Sequence, residues 1–273
     1  MEEHTPFAYH SLYVGDCYGD MWVCRDGHSW MTVKQPPVKR EFYAACATKD
    51  NTLVVTGGDW STACYKYSPR NDVWAELPSL QEGRSYHGCV WHGGAIYVVG
   101  GFNGNNHLSS VEMLSMEGSR AQWSRLPSLP RPHYHPLVVS ANNQLWVVGG
   151  YQLTNVCMLE STQGAWQEKA PMPYEHSGGA VASFDDQILI VDGTAERRCM
   201  LYSISTNQWL QCVQRPQFKH SRGVAAPLPK TLIVCGGEDS DSTIEEYDPR
   251  TDQWSQWNLK MPVNNFMGFA SFL

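Results

Sequence analysis

A short strand-forming segment that ends in two glycines recurs along the chain. Its clearest copy is Ile96-Tyr97-Val98-Val99-Gly100-Gly101, where four residues of high β propensity precede the glycines. Further copies, the last two of them weaker, begin at Leu53, Leu145, Leu232, Leu189 and Tyr13. The pattern predicts six copies of one unit built from β-strands.

Two markers keep the same register through all six units. The second residue of each glycine pair, or its replacement, stands at positions 16, 58, 101, 150, 193 and 237, so successive copies are 42 to 49 residues apart. A tryptophan follows each pair, at Trp30, Trp74, Trp123, Trp166, Trp209 and Trp254. A repeat of roughly 40 to 50 residues of strand-type sequence is typical of a β-propeller, in which each repeat forms one four-stranded blade.

The third unit shows how one blade is expected to be arranged. Residues 85–91 predict a first strand (A), 95–99 a second (B) and 110–114 a third (C), while a fourth (D) begins at Trp123. Strand B is apolar on both faces, as expected for a strand enclosed between two neighbouring blades. The tryptophan on the outer strand is expected to cover the gap between blades with its large ring.

The segment between strands C and D carries a family resemblance. Residues 67–74, Tyr-Ser-Pro-Arg-Asn-Asp-Val-Trp, match residues 247–254, Tyr-Asp-Pro-Arg-Thr-Asp-Gln-Trp. A double glycine, a tyrosine and a tryptophan in this order resemble the Kelch repeat, and the resemblance covers essentially the whole sequence. It implies an all-β fold, a six-bladed Kelch β-propeller with four-stranded antiparallel blades. The departures from the pattern are Asp16, Asp192, Leu114 and Leu159.

The two ends of the chain are expected to meet. The N-terminus reaches strand B of its blade within about a dozen residues, which suggests a domain taken from a longer protein, and residues 265–273 resemble a strand A with no blade after it. We therefore predict that 265–273 complete the first blade and close the ring, which removes open sheet edges. Residues 1–273 then form a single domain, with blades at about 7–35 plus 265–273, 41–79, 85–128, 133–171, 176–214 and 220–259.

The composition of the chain argues against several classes of function. The net charge of -7 argues against general nucleic-acid binding, because phosphate affinity requires clustered Lys and Arg. No apolar run approaches the roughly 20 residues of a membrane span, and residues 1–6 lack a signal-peptide pattern. The nine cysteines include no CxxC pair, which indicates free thiols in a reducing, cytoplasmic environment. Cys46, Cys89 and Cys235 fall in strands and are interpreted as small buried hydrophobes.

The B–C and D–A loops share one end of the predicted blades, which we call the loop face; the A–B and C–D turns form the opposite turn face. Only the loops are long and varied, and the D–A loops are rich in proline, which preorganises them. Binding residues concentrate on loops of a rigid scaffold, so we predict a partner-binding surface here. By resemblance to Kelch substrate receptors, its residues are Arg40, Asp59, Trp60, Arg84, Phe102, Arg131, His133, Tyr151, Tyr174, Thr194, Arg197, Lys219, Glu238 and Asn264.

The charges of this predicted surface are mixed. Arg40, Arg84 and Lys219 could meet an acidic or phosphorylated segment through bidentate hydrogen bonds. The run 238–241, Glu-Asp-Ser-Asp, would repel such a ligand and could hold a basic residue instead. The alternative for each single charge is a solvated position at the rim. Trp60 and Phe102 are expected to be anchors, because exposed aromatic side chains at loop tips are otherwise unfavourable.

Catalytic and metal-binding motifs are weak. His87 and His92 are five residues apart and His133 and His135 flank Tyr134, but neither pair has a third ligand at a spacing typical of zinc or copper. There is no GxSxG, HExxH or phosphate loop. The sequence therefore favours a non-catalytic interaction domain without a cofactor.

The repeats most resemble the C-terminal half of BTB-Kelch proteins, the substrate adaptors of cullin-RING ubiquitin ligases. This resemblance implies that the chain selects a protein substrate, while BTB and BACK portions outside this sequence form the dimer and bind the cullin. Two alternatives remain open. One is a cytoskeletal, actin-binding or scaffold Kelch protein, and the other is a metal-dependent oxidase.

Overall fold

The computed structural model describes residues 11–116, 121–175, 179–192, 198–211, 215–218, 220, 223–228, 231–237, 242–263 and 268–273. Throughout these residues the regular secondary structure is β: 24 strands form six four-stranded antiparallel sheets, and no helix occurs. The sheets are the six blades of a β-propeller, which confirms the fold expected from the repeat.

The strands of each blade follow one another from A to D. In that order, blade 1 contains Gly268–Phe272, Leu12–Asp16, Met21–Cys24 and Trp30–Thr32; blade 2 contains Ala44–Ala47, Leu53–Thr56, Cys64–Ser68 and Val73–Leu77; blade 3 contains Gly88–His92, Ala95–Val99, Val111–Ser115 and Trp123–Leu126. Blade 4 contains Leu137–Ala141, Gln144–Gly150, Leu153–Leu159 and Gln167–Glu168; blade 5 contains Gly179–Phe184, Gln187–Asp192, Cys199–Ser203 and Gln208–Gln211; blade 6 contains Val224–Pro227, Leu232–Cys235, Ile244–Asp248 and Gln253–Gln256.

The C-terminal strand closes the ring as predicted. Gly268–Phe272 pairs antiparallel with Leu12–Asp16, and Ser11 and Leu273 exchange two backbone hydrogen bonds of 3.0 Å. A Cβ at Gly268 would stand 1.7 Å from the carbonyl oxygen of Gly15, so only glycine permits this close pairing. The A strands of neighbouring blades touch all the way round, so they surround the central axis.

Strand boundaries differ from the prediction in blade 3. Strand A begins at Gly88, three residues after the predicted start at Ser85. The reason is that Ser85 exchanges backbone hydrogen bonds of 2.9 and 2.8 Å with Phe102 of the B–C loop. Residues 85–87 therefore belong to the loop face, and not to the inner strand.

The apolar core is divided among the spaces between blades. Strand B of blade 3 is buried along its whole length, and Ile96 packs with Val54 of blade 2 in one such layer. Burying a side chain of this size contributes about 1.5 to 3 kcal/mol. Each blade therefore depends on both neighbours for its stability.

Tyrosine and tryptophan join the blades near the turn face. The Tyr67 hydroxyl donates to Asp72 Oδ1 at 2.6 Å, and its ring lies 5.0 Å from that of Trp74. The Trp74 indole N–H donates to the carbonyl oxygen of Lys34, after blade 1, at 2.8 Å. Equivalent indole bonds to the preceding D–A loop are made by Trp30, Trp123, Trp166 and Trp209. The structural role predicted for these tryptophans is confirmed.

Candidate functional site

Backbone hydrogen bonds fasten the B–C and D–A loops to one another across blades. Gly101 N–H donates to the carbonyl oxygen of His133 at 2.8 Å, and Tyr151 N–H donates to that of Tyr134 at 2.7 Å. Gly58 N–H likewise donates to the Arg84 carbonyl oxygen at 2.9 Å. The loops of blades 2 to 4 thus form one connected surface, and their side chains hold fixed positions relative to one another.

Aromatic side chains of this surface form a connected group, which we call the aromatic platform. Its members are Phe42, Tyr86, Phe102, His107, Tyr134, His135 and Tyr151. The rings of Phe42 and Tyr86 stack with centroids 4.2 Å apart, and Tyr134 stacks on His107 at 4.9 Å. Tyr86 and Tyr134, 4.9 Å apart, join the two stacks. None of the seven residues is fully buried.

Three platform residues have a left-handed backbone. Phe42, Tyr86 and His135 each stand two residues before strand A of their blade, with φ of 56°, 53° and 57°. Tyr86 N–H donates to the Phe42 carbonyl oxygen at 3.0 Å, and His135 N–H donates to that of Tyr86 at 2.9 Å. Such a backbone is unfavourable for bulky residues by about 1 to 3 kcal/mol, and bulky residues held in this way cluster at functional sites.

The same three residues lie where the central channel meets the loop face. The channel holds a cavity of about 260 Å³, lined by segments from all six A strands and by Phe42, Tyr86 and His135 at its loop end. The platform therefore continues into a concave space, which could admit a side chain of a bound molecule.

The four aromatic residues of the predicted site, apart from the histidine, lie at or near the surface. Trp60 is 56% exposed and Tyr151 is 51% exposed, whereas Phe102 is partly buried within the platform. A Cβ at Gly104 of blade 3 would stand 3.5 Å from the Trp60 ring, so the ring extends from blade 2 over the neighbouring loop. Tyr174 is 39% exposed.

Polar groups flank these aromatic residues. Asp59 is exposed and, like Trp60, has a left-handed backbone, with φ of 48°. Its N–H donates to the Glu41 carbonyl oxygen at 3.0 Å. The guanidinium of Arg198 lies 3.8 Å over the Tyr174 ring, a cation–π contact.

The interpretation of Arg84 as a surface residue is wrong. Its side chain is fully buried, and its Nη2 donates to the equally buried Glu112 at 2.7 Å. Its Nη1 donates to the carbonyl oxygens of Gly100 and Ser110. Burial lowers the pKa of Arg84, while the charge of Glu112 opposes that shift. Arg84 therefore holds the B–C loop of blade 3 from beneath and cannot reach a ligand.

His133 is buried for a similar reason. Its Nδ1 lies 2.6 Å from the carbonyl oxygen of Gly149, and burial lowers the pKa of its ring. His220 occupies the equivalent place in blade 6, with Nδ1 2.8 Å from the Gly236 carbonyl oxygen and Nε2 2.8 Å from Glu245. Arg84, His133 and His220 thus support the glycine pairs of three blades.

The remaining predicted site residues differ in how far the structure describes them. Arg40 is partly buried. Arg131 is half exposed and lies 3.5 Å from Glu168, an ion pair of small energetic value. Five others lie outside the described residues: Thr194, Arg197, Lys219, Glu238 and Asn264. Among the described cations of the prediction, Arg40 and Arg131 are thus the ones that remain available to an acidic ligand.

Most of the platform was missed by sequence reasoning. The sequence predicts contact residues before strand A at Arg40, Arg84 and His133, but the rings stand two residues later, at Phe42, Tyr86 and His135. Aligning the repeats on the start of strand A would have revealed a bulky ring at the same position in three neighbouring blades. The left-handed backbone that presents these rings has no signature in residue type.

The histidines of the metal hypothesis have other contacts. His87 Nε2 lies 2.9 Å from Thr56 Oγ1, and His92 Nδ1 lies 2.8 Å from Ser140 Oγ. The part of the chain that the structure describes contains no group of three or more His, Cys, Asp or Glu side chains placed to hold a metal ion. It also contains no helix with the length and apolar character of a membrane span.

Comparisons with known proteins agree with this architecture. The family model for the Kelch motif matches residues 83–130 and 221–256. Kelch-like protein 24 of Rattus norvegicus is 38% identical over 79 residues, which are 29% of this chain and 13% of that protein. Human Kelch-like protein 34 is 28% identical over 141 residues, 45% of this chain and 21% of that protein. Kelch-like protein 40 of Xenopus laevis is 26% identical over 146 residues, 51% and 24% of the two chains.

The repeated sequence motif, the six blades and these matches define one class of protein. The chain is a Kelch-repeat β-propeller. Its repeats are of the type found in Kelch-like proteins. The matched segments span between 13% and 24% of the length of the three relatives, so the chain corresponds to a part of each of them.

Proposed function

We propose that this chain is a protein-interaction domain whose loop face binds a short segment of a partner protein. The aromatic platform is the observation that carries this proposal. Seven rings are gathered on loops, three of them on an unfavourable backbone, at the mouth of a cavity. Rings held in this way offer rigid apolar contact area at low entropic cost, as at the anchor points of protein interfaces.

The distribution of exposed apolar side chains supports the same surface. Eight large apolar side chains are exposed among the described residues. Five of them belong to B–C or D–A loops: Tyr18, Val38, Trp60, Tyr151 and Tyr174. Exposed apolar groups gathered on one face favour a binding surface over chance exposure.

We assign the contacts by exposure. Trp60, Tyr151 and the platform are the central anchors, Tyr174 extends the surface, and Asp59, Arg40 and Arg131 lie at its polar rim. Arg84 and His133 support the loops from beneath. The residues outside the described part of the chain, Thr194, Arg197, Lys219, Glu238 and Asn264, remain predicted contacts of the same surface.

We further propose that the domain serves as the substrate receptor of a cullin-RING ubiquitin ligase. The resemblance to Kelch-like proteins supports it. In this arrangement BTB and BACK domains of a longer protein form the dimer and hold the cullin, and the complex acts in the cytoplasm. The propeller itself contributes binding; no catalytic step or cofactor is assigned to it.

Partner capture tests the surface. The purified domain and a Trp60→Ser, Tyr151→Ser variant are immobilised and exposed to cell lysate, and retained proteins are identified by mass spectrometry. A matched control, Met31→Ser with Leu210→Ser, removes two side chains that are 46% and 50% exposed but lie on the outer D strands. We expect the parent and the control to retain the same proteins and the loop-face variant to lose them.

Direct titration then follows with a synthetic segment of a retained protein. Removing two anchors is expected to weaken binding at least tenfold. Equal retention by both variants, or equal loss from both, would place the binding surface elsewhere. The ligase role is tested separately, by asking whether the full-length protein co-purifies with a cullin and transfers ubiquitin to the retained protein.

A further inference from the structure

Two thiols face each other between blades 2 and 3. The eight cysteines in the described residues are all free, and two of them, Cys46 and Cys89, lie on neighbouring A strands. The Cys89 thiol donates to the Cys46 sulfur with the two Sγ atoms 3.3 Å apart. Both residues are only partly buried, unlike the other six, and Cys89 lines the central cavity.

We propose that Cys46 and Cys89 form a reversible disulfide that cross-links blades 2 and 3 beneath the aromatic platform. A disulfide bond is about 2.05 Å long, so the two sulfurs need to approach by about 1.2 Å from their 3.3 Å separation. The A strands of blades 2 and 3 already touch. Small side-chain rotations therefore supply most of this movement.

The oxidant that fits the site is a small peroxide, which can enter through the cavity. Cys89 is the attacking residue, because it lines the cavity through which the peroxide enters, whereas Cys46 does not. The Cys89 thiolate attacks one peroxide oxygen; the O–O bond breaks, a sulfenic acid forms and the released oxygen leaves as water after taking up a proton.

The second step closes the bond. The Cys46 sulfur attacks the sulfenic sulfur and displaces its hydroxyl, which takes up the Cys46 proton and leaves as a second water. Two thiols and one hydrogen peroxide thus give one disulfide and two waters, with two electrons passing from sulfur to oxygen. A dithiol reductant restores both thiols by exchange.

The proposed cross-link lies close in sequence to two residues of the aromatic platform. Phe42 stands four residues before Cys46, and Tyr86 stands three residues before Cys89. The rings of Phe42 and Tyr86 form the tightest stack of the platform. The disulfide would therefore fix the distance between the two strands that present this stack.

Peptide mapping tests the proposal without reference to any binding partner. The folded domain is treated with hydrogen peroxide, the excess is removed, remaining thiols are alkylated in denaturant, and the protein is digested without reductant. We expect one cross-linked peptide pair containing Cys46 and Cys89, an intact mass lower by two hydrogen atoms, and loss of the cross-link after dithiothreitol. Cys46→Ala is expected to abolish the cross-link, and Cys157→Ala, which removes a buried cysteine of blade 4, to preserve it.

The peptide map of the wild-type domain tests the proposed disulfide even if a variant folds poorly. The proposal is overturned if Cys46 and Cys89 remain open to alkylation after treatment, if Cys89 passes to the sulfinic acid without a cross-link, or if either residue pairs with a different cysteine.

Discussion

Blade 2 carries one tryptophan at each end, and the two side chains have different surroundings. Trp74, at the turn face, donates its indole N–H to Lys34 in the preceding loop at 2.8 Å and packs on Tyr67. Trp60, at the loop face, is 56% exposed on a left-handed backbone with φ of 56°. One ring is therefore used to join blades, and the other is presented to solvent.

Comparing the six blades shows which of the two tryptophans the propeller requires. The turn-face unit recurs as Tyr202 with Trp209 and as Tyr247 with Trp254, at ring distances of 5.0 and 4.9 Å. No tryptophan stands at the place of Trp60 in the other blades. In blade 2 the tryptophan that recurs in every blade thus joins neighbouring blades, whereas the tryptophan that does not recur is exposed at the loop face.

The contrast between Trp74 and Trp60 exists only in a closed propeller. Opening the propeller is therefore expected to have the largest effect on stability. Deleting residues 265–273 removes strand A of blade 1 and all of its pairing with Leu12–Asp16. We expect an aggregating protein without a cooperative melting transition, because two strand edges and the core beneath them become exposed. Circular dichroism and size-exclusion chromatography measure this outcome.

A rearranged chain supplies the control for the deletion. Joining residues 265–273 through a flexible Gly-Ser linker to Ser11 returns the same strand to the same place from the other end of the chain. This variant is expected to recover cooperative melting. If the simple deletion melts like the full chain, strand A is not what closes the ring.

The next largest effect concerns the ion pair beneath the loop face. Glu112→Gln removes the buried charge partner of the fully buried Arg84 guanidinium and leaves only the more exposed Glu82, at 3.8 Å. Such changes cost about 3 to 5 kcal/mol. Asp248→Asn is the matched control, because its ion pair with Arg250 has the same 2.7 Å distance but lies at the surface; we expect a loss of less than about 1 kcal/mol. Urea denaturation of both variants gives the two free energies, and equal losses would contradict the assigned role of Arg84.

Replacing each tryptophan of blade 2 by serine tests the different roles assigned to the two side chains. Trp74→Ser removes an indole hydrogen bond and the packing on Tyr67, so we expect the free energy of unfolding to fall by about 2 to 3 kcal/mol. Trp60→Ser removes an exposed ring and is expected to change stability by less than about 0.5 kcal/mol. A large loss for Trp60→Ser would mean that this ring stabilises the loop, and its assignment to recognition would fail.

The parts that the sequence predicts well are those that repeat. The repeated glycine pairs and tryptophans predict six blades, and the strand-like residues 265–273 predict that the C-terminal strand closes the propeller. Both predictions depend on the residue types along the chain alone. The joining role of Trp74 follows from the same regularity. Repetition makes a weak local signal strong, since one marker in one register recurs six times.

The loop face is harder to predict because its structure depends on contacts between distant residues. Arg84 can be fully buried because Glu112, 28 residues later, lies opposite it in strand C and balances its charge. One signal was available: a carboxylate interrupts strand C at Glu112 and again at Glu245, opposite Arg84 and His220. A single buried acid at the same place in two repeats indicates a buried partner.

The smallest expected effect is a difference in pH dependence between the two ends. His87, beneath the loop face, is 7% exposed, and burial followed by the nearby charge of Arg84 lowers its pKa well below 6.5, despite its contact with Thr56. His28, at the C–D turn of blade 1, is exposed. A lowered pKa in the folded state means that the unfolded chain binds the proton first. The stabilising contribution of neutral His87 is therefore complete above pH 6.5 and declines as the pH falls below that value.

The decline is at most about 1.4 kcal/mol per pH unit for one histidine. Urea denaturation between pH 7 and pH 5 should show a shallower pH dependence for His87→Gln than for the wild type, whereas His28→Gln should reproduce the wild-type slope. Only the slopes are compared, so a uniform loss of stability in either variant does not affect the result. If both variants keep the wild-type slope, protonation of His87 is not linked to unfolding, and acid sensitivity of the loop end must come from His133 or from another buried group.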